Sequence, residues 1–109
     1  WADGVEEVIR ECNLPWSVNR LGIRAEYIFN TRAPRTGREA ADSGDFELEQ
    51  LIHLYLLNEG FLLTPFHNMA LICPDTTAAD VDAQLHNATG NGGGTFEGGH
   101  HQHRCHVIA

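Results

Sequence analysis

Apolar side chains recur at Val5, Val8, Ile9 and Cys12, the i, i+3, i+4, i+7 spacing that puts them on one face of a helix. This predicts a helix near residues 4–12, opened by the capping-box-like pair Asp3 and Glu6 and stopped by Asn13 and Pro15. The period then changes to two. Leu21, Ile23, Ala25, Tyr27 and Phe29 alternate with Gly22, Arg24, Glu26 and Ile28, which predicts one strand over residues 20–29 with Arg20, Arg24 and Glu26 on its polar face. After a loop over residues 30–35, Thr36-Gly37-Arg38-Glu39 has the form of a capping box. It opens a helix expected over residues 38–59, with Gly60 placed to end it in the left-handed conformation. Gly44 weakens the first half of that helix by roughly 1 kcal/mol relative to alanine.

Leu48, Leu51, Ile52 and Tyr55 form a core stripe on the second helix, and Leu54, Leu56 and Leu57 carry apolar character around most of the remaining surface. A helix apolar nearly all round needs cover on more than one side, which points to another domain or subunit. Residues 61–63 and 69–73, bounded by Pro65 and Pro74, read as two short strands whose closeness predicts an antiparallel pair. Thr77 with Asp80 opens a last helix near residues 78–86 carrying Ala78, Val81 and Leu85. The expected fold class is α/β, an α+β layer in which a short, mostly antiparallel sheet packs with helices. Residues 1–87 form one domain on this reading. Residues 88–109, rich in glycine and histidine, read as a disordered tail.

Charge narrows the function classes. The chain has 109 residues, 15 acidic and 7 basic side chains and a formal net charge of -8, and every basic residue is an arginine. An acidic domain with scattered arginines lacks the basic patch that neutralises phosphates, so neither nucleic acid nor an anionic membrane is an expected partner. The three cysteines, Cys12, Cys73 and Cys105, form no C-x-x-C pair, and no apolar run approaches the ~20 residues of a membrane span. A cytoplasmic setting is expected. Because the chain starts at Trp1 and its one methionine is Met69, it reads as a piece of a longer protein.

Candidate chemistry is sparse. The run Gly90 to Gly94 lacks the third glycine of a dinucleotide fingerprint and reads as a linker. His100, His101, His103, Cys105 and His106 offer imidazoles and a thiolate suited to nickel, copper or zinc, as a candidate metal site in the tail. His53, between Ile52 and Leu54, reads as a satisfied interface histidine. His67 and Asn68 lie in the connection between the two short strands, where a turn role competes with a functional one. Arg24 either pairs with Glu26 on a solvated strand face or presents its planar fork to a ligand carboxylate. No nucleophile elbow, Cys–His dyad or H-E-x-x-H is present, so no catalytic residue and no cofactor-binding residue is assigned.

The run from Leu14 to Tyr27 (Leu14-Pro15-Trp16-Ser17-Val18-Asn19-Arg20-Leu21-Gly22-Ile23-Arg24-Ala25-Glu26-Tyr27) resembles the C-terminal part of class III, pyridoxal-phosphate-dependent aminotransferases. The branch it resembles is the one related to glutamate-1-semialdehyde aminomutase. The likeness continues through residues 53–58, 60–70 and 77–82 and stops after about His86. It implies the small C-terminal domain of a fold-type-I enzyme, packed on a large cofactor domain in a homodimer that acts on a small-molecule amino-group substrate. It also implies that the pyridoxal 5'-phosphate is held by that large domain, through a lysine this chain lacks, so the chain alone is not catalytic. Arg24, His67 and Asn68 are the substrate-entrance candidates. Some relatives carry a carboxylate-binding arginine on the strand matching residues 69–73, where this chain has Leu71, Ile72 and Cys73. A competing reading is a stand-alone, non-catalytic α/β binding module with a metal-binding histidine-rich tail.

Overall fold

The computed structural model describes residues 1–64 and 67–88. Among the described residues, seven elements follow one another: α1 (Ala2–Glu11), β1 (Ser17–Leu21), β2 (Arg24–Ile28), α2 (Gly37–Asp42), α3 (Phe46–Asn58), β3 (Met69–Leu71) and α4 (Ala78–Ala88). The strands form one antiparallel sheet in the order β1-β2-β3. The fold is thus the mixed α/β layer expected, with several elements placed differently.

The predicted strand over residues 20–29 is instead a hairpin. Leu21 pairs with Arg24 across a two-residue turn, and Gly22 takes φ +59° while Ile23 does not share the positive φ. Glycine alone at the first central position is the pattern of a type II′ turn, whose twist matches that of the flanking strands. The turn moves Arg20 off the face shared by Arg24 and Glu26. Arg20 pairs with Ala25 and meets α1, where its Nη2 lies 2.7 Å from Asp3 Oδ1 and 3.0 Å from Glu6 Oε2. The hydrogen bonds that Arg20 donates to Asp3 and then to Glu6 raise its pKa above the ordinary value. Asp3 and Glu6 are therefore ion-pair partners rather than a capping box, and α1 starts without a side-chain cap. Asn13, at φ 50°, ends it in the left-handed region that asparagine tolerates.

The long helix is likewise two. α2 starts as predicted, with Thr36 Oγ1 accepting the Glu39 N–H at 3.2 Å and Glu39 Oε2 accepting the Arg35 N–H at 2.6 Å. It stops at Ser43, and after Gly44 the Asp45 carboxylate accepts the Leu48 N–H at 3.1 Å and starts α3 afresh. Gly60, at φ +88°, follows the end of α3 in the left-handed conformation. Residues 61–63 are not a strand. β3 pairs with the hairpin instead, Ala70 opposite Ala25 and Met69 opposite Glu26. Thr77 and Asp80 cap α4 reciprocally: Thr77 Oγ1 accepts the Asp80 N–H at 3.2 Å, and Asp80 Oδ2 accepts the Thr77 N–H at 2.9 Å.

The core lies between one sheet face and the helices. Tyr27, Ala70, Leu56 and Leu63 are its buried centre, with Trp1, Val5, Trp16, Ile52 and Tyr55 packed around them. Trp16 stacks on Tyr27 with ring centroids 5.8 Å apart, and Trp1 Nε1 donates to Gln84 Oε1 at 3.0 Å, which ties α4 to the chain start. Leu56 belongs to this centre, whereas Leu51, expected in the stripe, is exposed along with Phe46, Leu54 and Leu57. α3 thus buries one face and leaves a second apolar face open, as its composition predicted.

Candidate functional site

The sheet face opposite the core turns toward α2. Pairing places Asn19, Glu26 and Met69 on this face, and α2 with the start of α3 stands over it. Between them runs a cleft of about 760 Å³ whose lining includes Asn19, Glu26, Arg35, Glu49, His67 and Asn68. The backbone fixes its floor. The Asn68 carbonyl accepts the Tyr27 N–H at 3.1 Å, and the His67 N–H donates to the Thr64 carbonyl at 3.2 Å. His67 Nδ1 then lies 3.6 Å from Glu26 Oε1, a contact that becomes an ion pair when the imidazole is protonated.

Of the three entrance candidates, the structure brings His67 and Asn68 together in this cleft and leaves Arg24 out of it. Arg24 Nε and Nη2 lie 3.3 and 3.2 Å from Met69 Sδ, a weak acceptor. No Arg24–Glu26 ion pair forms among the described residues; Glu26 faces His67 instead. The tail candidates His100, His101, His103, Cys105 and His106 lie outside the described residues. Among the described residues no group of three or more histidine, cysteine, aspartate or glutamate side chains is arranged to hold a metal, and no helix is long and apolar enough to cross a membrane.

The residues that sequence reasoning missed lie beneath the cleft. Tyr27 belongs to the apolar strand face by its pattern, and its ring is buried there, but its hydroxyl has no hydrogen-bond partner among the described residues. Burial, with the charge of Glu49 adding to it, pushes the Tyr27 phenol well above its ordinary pKa, so it is a neutral group. His53, expected to be satisfied, has a buried Nδ1 without a partner among the described residues. Both atoms belong to residues around a small cavity that also touches Glu49, Thr64, His67 and Asn68. The available signal was a tyrosine and a histidine at positions that pattern alone assigns to burial. Cys73, beyond the end of β3, is an exposed free thiol outside the cleft. The hydroxyl of Thr76 and the backbone of Asp75 and Thr76 lower its pKa.

No protein-family model and no curated protein matches the chain. Solved structures do. A glutamate-1-semialdehyde-aminomutase from Pseudomonas aeruginosa PAO1 is 52% identical over 77% of this chain, with a TM-score of 0.75. A substituted form of the glutamate-1-semialdehyde-aminomutase from that organism, in complex with PMP, is 50% identical over 79% of the chain at the same TM-score. Fold and identity together define the class, that of the class III pyridoxal-phosphate-dependent aminotransferases. Within it, the chain belongs to the glutamate-1-semialdehyde-aminomutase-like branch. It spans 18–20% of the length of the two enzymes it matches.

Proposed function

We propose that the chain is the small C-terminal domain, residues 1–87, of a cytoplasmic, homodimeric pyridoxal-phosphate enzyme that transfers or migrates an amino group on an amino acid or semialdehyde. The observation that carries this reading is the half-identity to an aminomutase over three quarters of the chain, in the same fold. Two features of the chain support it. The open apolar face of α3, with Leu54 at 60% and Phe46 at 73% exposure, calls for cover by further protein. The cleft offers hydrogen-bonding groups suited to admitting and orienting a small polar substrate, with no nucleophile–base pair among its residues.

The residues of this chain do not fit the cofactor itself. With no lysine, the chain lacks the amine that would tether an aldehyde cofactor, so that group belongs to the rest of the parent protein. The role proposed for this domain is to bind and orient substrate at the entrance, with His67 and Asn68 as contacts. Residues 88–109 lie outside the domain on this reading.

The test compares the parent protein with the 109-residue chain. The parent should bind pyridoxal phosphate, show protein-bound cofactor absorbance, and convert glutamate 1-semialdehyde or transaminate an amino acid. The chain alone should do none of these. A parent without cofactor absorbance, or turnover by the purified chain, refutes the proposal.

A further inference from the structure

Most of the residues around the small cavity beneath the cleft are polar, which is unusual beside a core. Its volume is about 10 Å³, room for about one water-sized group. Tyr27, Glu49, His53, Thr64, His67 and Asn68 line it together with Leu63. Buried polar atoms nearly always have partners. Here two groups lack one among the described residues, the Tyr27 hydroxyl on β2 and His53 Nδ1 on α3, and Tyr27 is only 7% exposed. Tyr27, Glu49, His67 and Asn68 also line the 760 Å³ cleft, so the cavity adjoins its inner wall.

We propose that this niche binds the ammonium head of a primary amine, with the rest of the amine lying in the cleft. Size selects the head group, since one water-sized site admits –NH3⁺ and rejects a carboxylate or guanidinium. Charge selects its sign. The titratable groups at the niche are Tyr27, whose buried phenol is neutral, Glu49, His53 and His67; Glu26 faces His67 at the rim, and Arg35 is the one described arginine lining the adjoining cleft. Two carboxylates against one arginine leave the surroundings negative when the imidazoles are neutral. Hydrogen bonding completes the match, because an ammonium offers three donors. The Tyr27 oxygen, the Glu49 carboxylate and neutral His53 Nδ1 are three acceptors.

The inference extends the amino-group reading above but does not depend on it. It concerns this chain's own residues and needs neither cofactor nor parent protein, so it can fail while that reading stands.

The test is titration of the 109-residue chain with methylammonium chloride at constant ionic strength, followed by NMR of the Tyr27 ring and the His53 imidazole. A two-heavy-atom ligand binds no tighter than roughly 5 mM, so saturable shifts in the tens of millimolar are expected. Tetramethylammonium, too large and without donors, should give none, and methanol should bind more weakly. Glu49→Gln should weaken methylammonium about tenfold, the loss of one charge-assisted hydrogen bond. Tyr27→Phe should weaken it several-fold, so the proposal does not rest on one variant folding. Shifts that fail to saturate, that tetramethylammonium or methanol reproduces equally, or that survive Glu49→Gln at full strength would overturn it.

Discussion

Leu56 and Leu54 sit two residues apart on α3 and are chemically identical, but one is 5% exposed and the other 60%. Truncating each to alanine separates burial within this chain from burial elsewhere. Fully burying a leucine side chain contributes about 1.5–3 kcal/mol. At 60% exposure Leu54 retains less than half of that, so Leu54→Ala should cost about 1 kcal/mol or less. Leu56→Ala loses nearly the whole transfer term and leaves a void as well, in the 2–5 kcal/mol range of buried leucine truncations. Leu56 already borders an apolar cavity of about 90 Å³ lined by residues such as Trp16, Tyr55 and Leu85. A new void that merges with an existing one closes less readily, which places the cost at about 3–4 kcal/mol. With a urea m-value of about 1.5 kcal/mol/M, the Leu56→Ala midpoint should fall by roughly 2 M and the Leu54→Ala midpoint by well under 1 M. Circular dichroism of the two variants and the parent sequence in urea reads this directly. Sedimentation should also show Leu54→Ala weakening any self-association, because it trims the open face. Equal costs for the two variants, or a cost above about 2 kcal/mol for Leu54→Ala in a monomer, would refute the placement of α3.

Two other outcomes follow from local chemistry. The Thr77 N–H and hydroxyl hold the Asp80 pKa below its ordinary value. The cap therefore stabilises α4 above the ordinary carboxylate pKa and loses that contribution as pH falls through the lower folded value. Asp80→Asn should thus differ most from the unaltered chain near about pH 7 and converge with it near about pH 2; a constant difference across a thermal-melt pH series would contradict this. For the tail, nickel or zinc affinity should reside in His100 to His106, and calorimetry should show it vanish on truncation after Asn87; tight binding retained by the truncated chain would contradict that placement.

Local signals were the legible ones. Thr36 with Glu39, Thr77 with Asp80, and Gly60 each act within one turn of chain, and each does in the structure what its sequence implies. The hairpin was hidden because period-two alternation continues in the sequence through a two-residue turn, while the turn inverts the faces. Leu21 ends up beside Arg24 rather than Ala25; Gly22 was the only punctuation. Ser43-Gly44-Asp45 carried a second cap signal inside one helical pattern, and Asp45 uses it. β3 was expected to pair with residues 61–63, its sequence neighbour, but residues 24–26 present the edge it takes. For the site, His67 and Asn68 were visible as a polar connection between apolar runs. Tyr27, Glu49 and His53 were not, since only the approach of α3 to β2 makes neighbours of residues more than twenty positions apart.

The aromatic cluster gives the chain an optical property. Its two tryptophans, Trp1 and Trp16, both flank Tyr27, with ring centroids 6.4 and 5.8 Å away. Intrinsic tryptophan emission therefore comes from one place, the seam where α1 and the loop after it meet the sheet. Tyrosine excitation at Tyr27 has two acceptors within contact range, so its own emission should be quenched while the seam is closed. Fluorescence can then report whether α1 stays docked on β2, and it is silent about α2 and the hairpin tip, which carry no tryptophan.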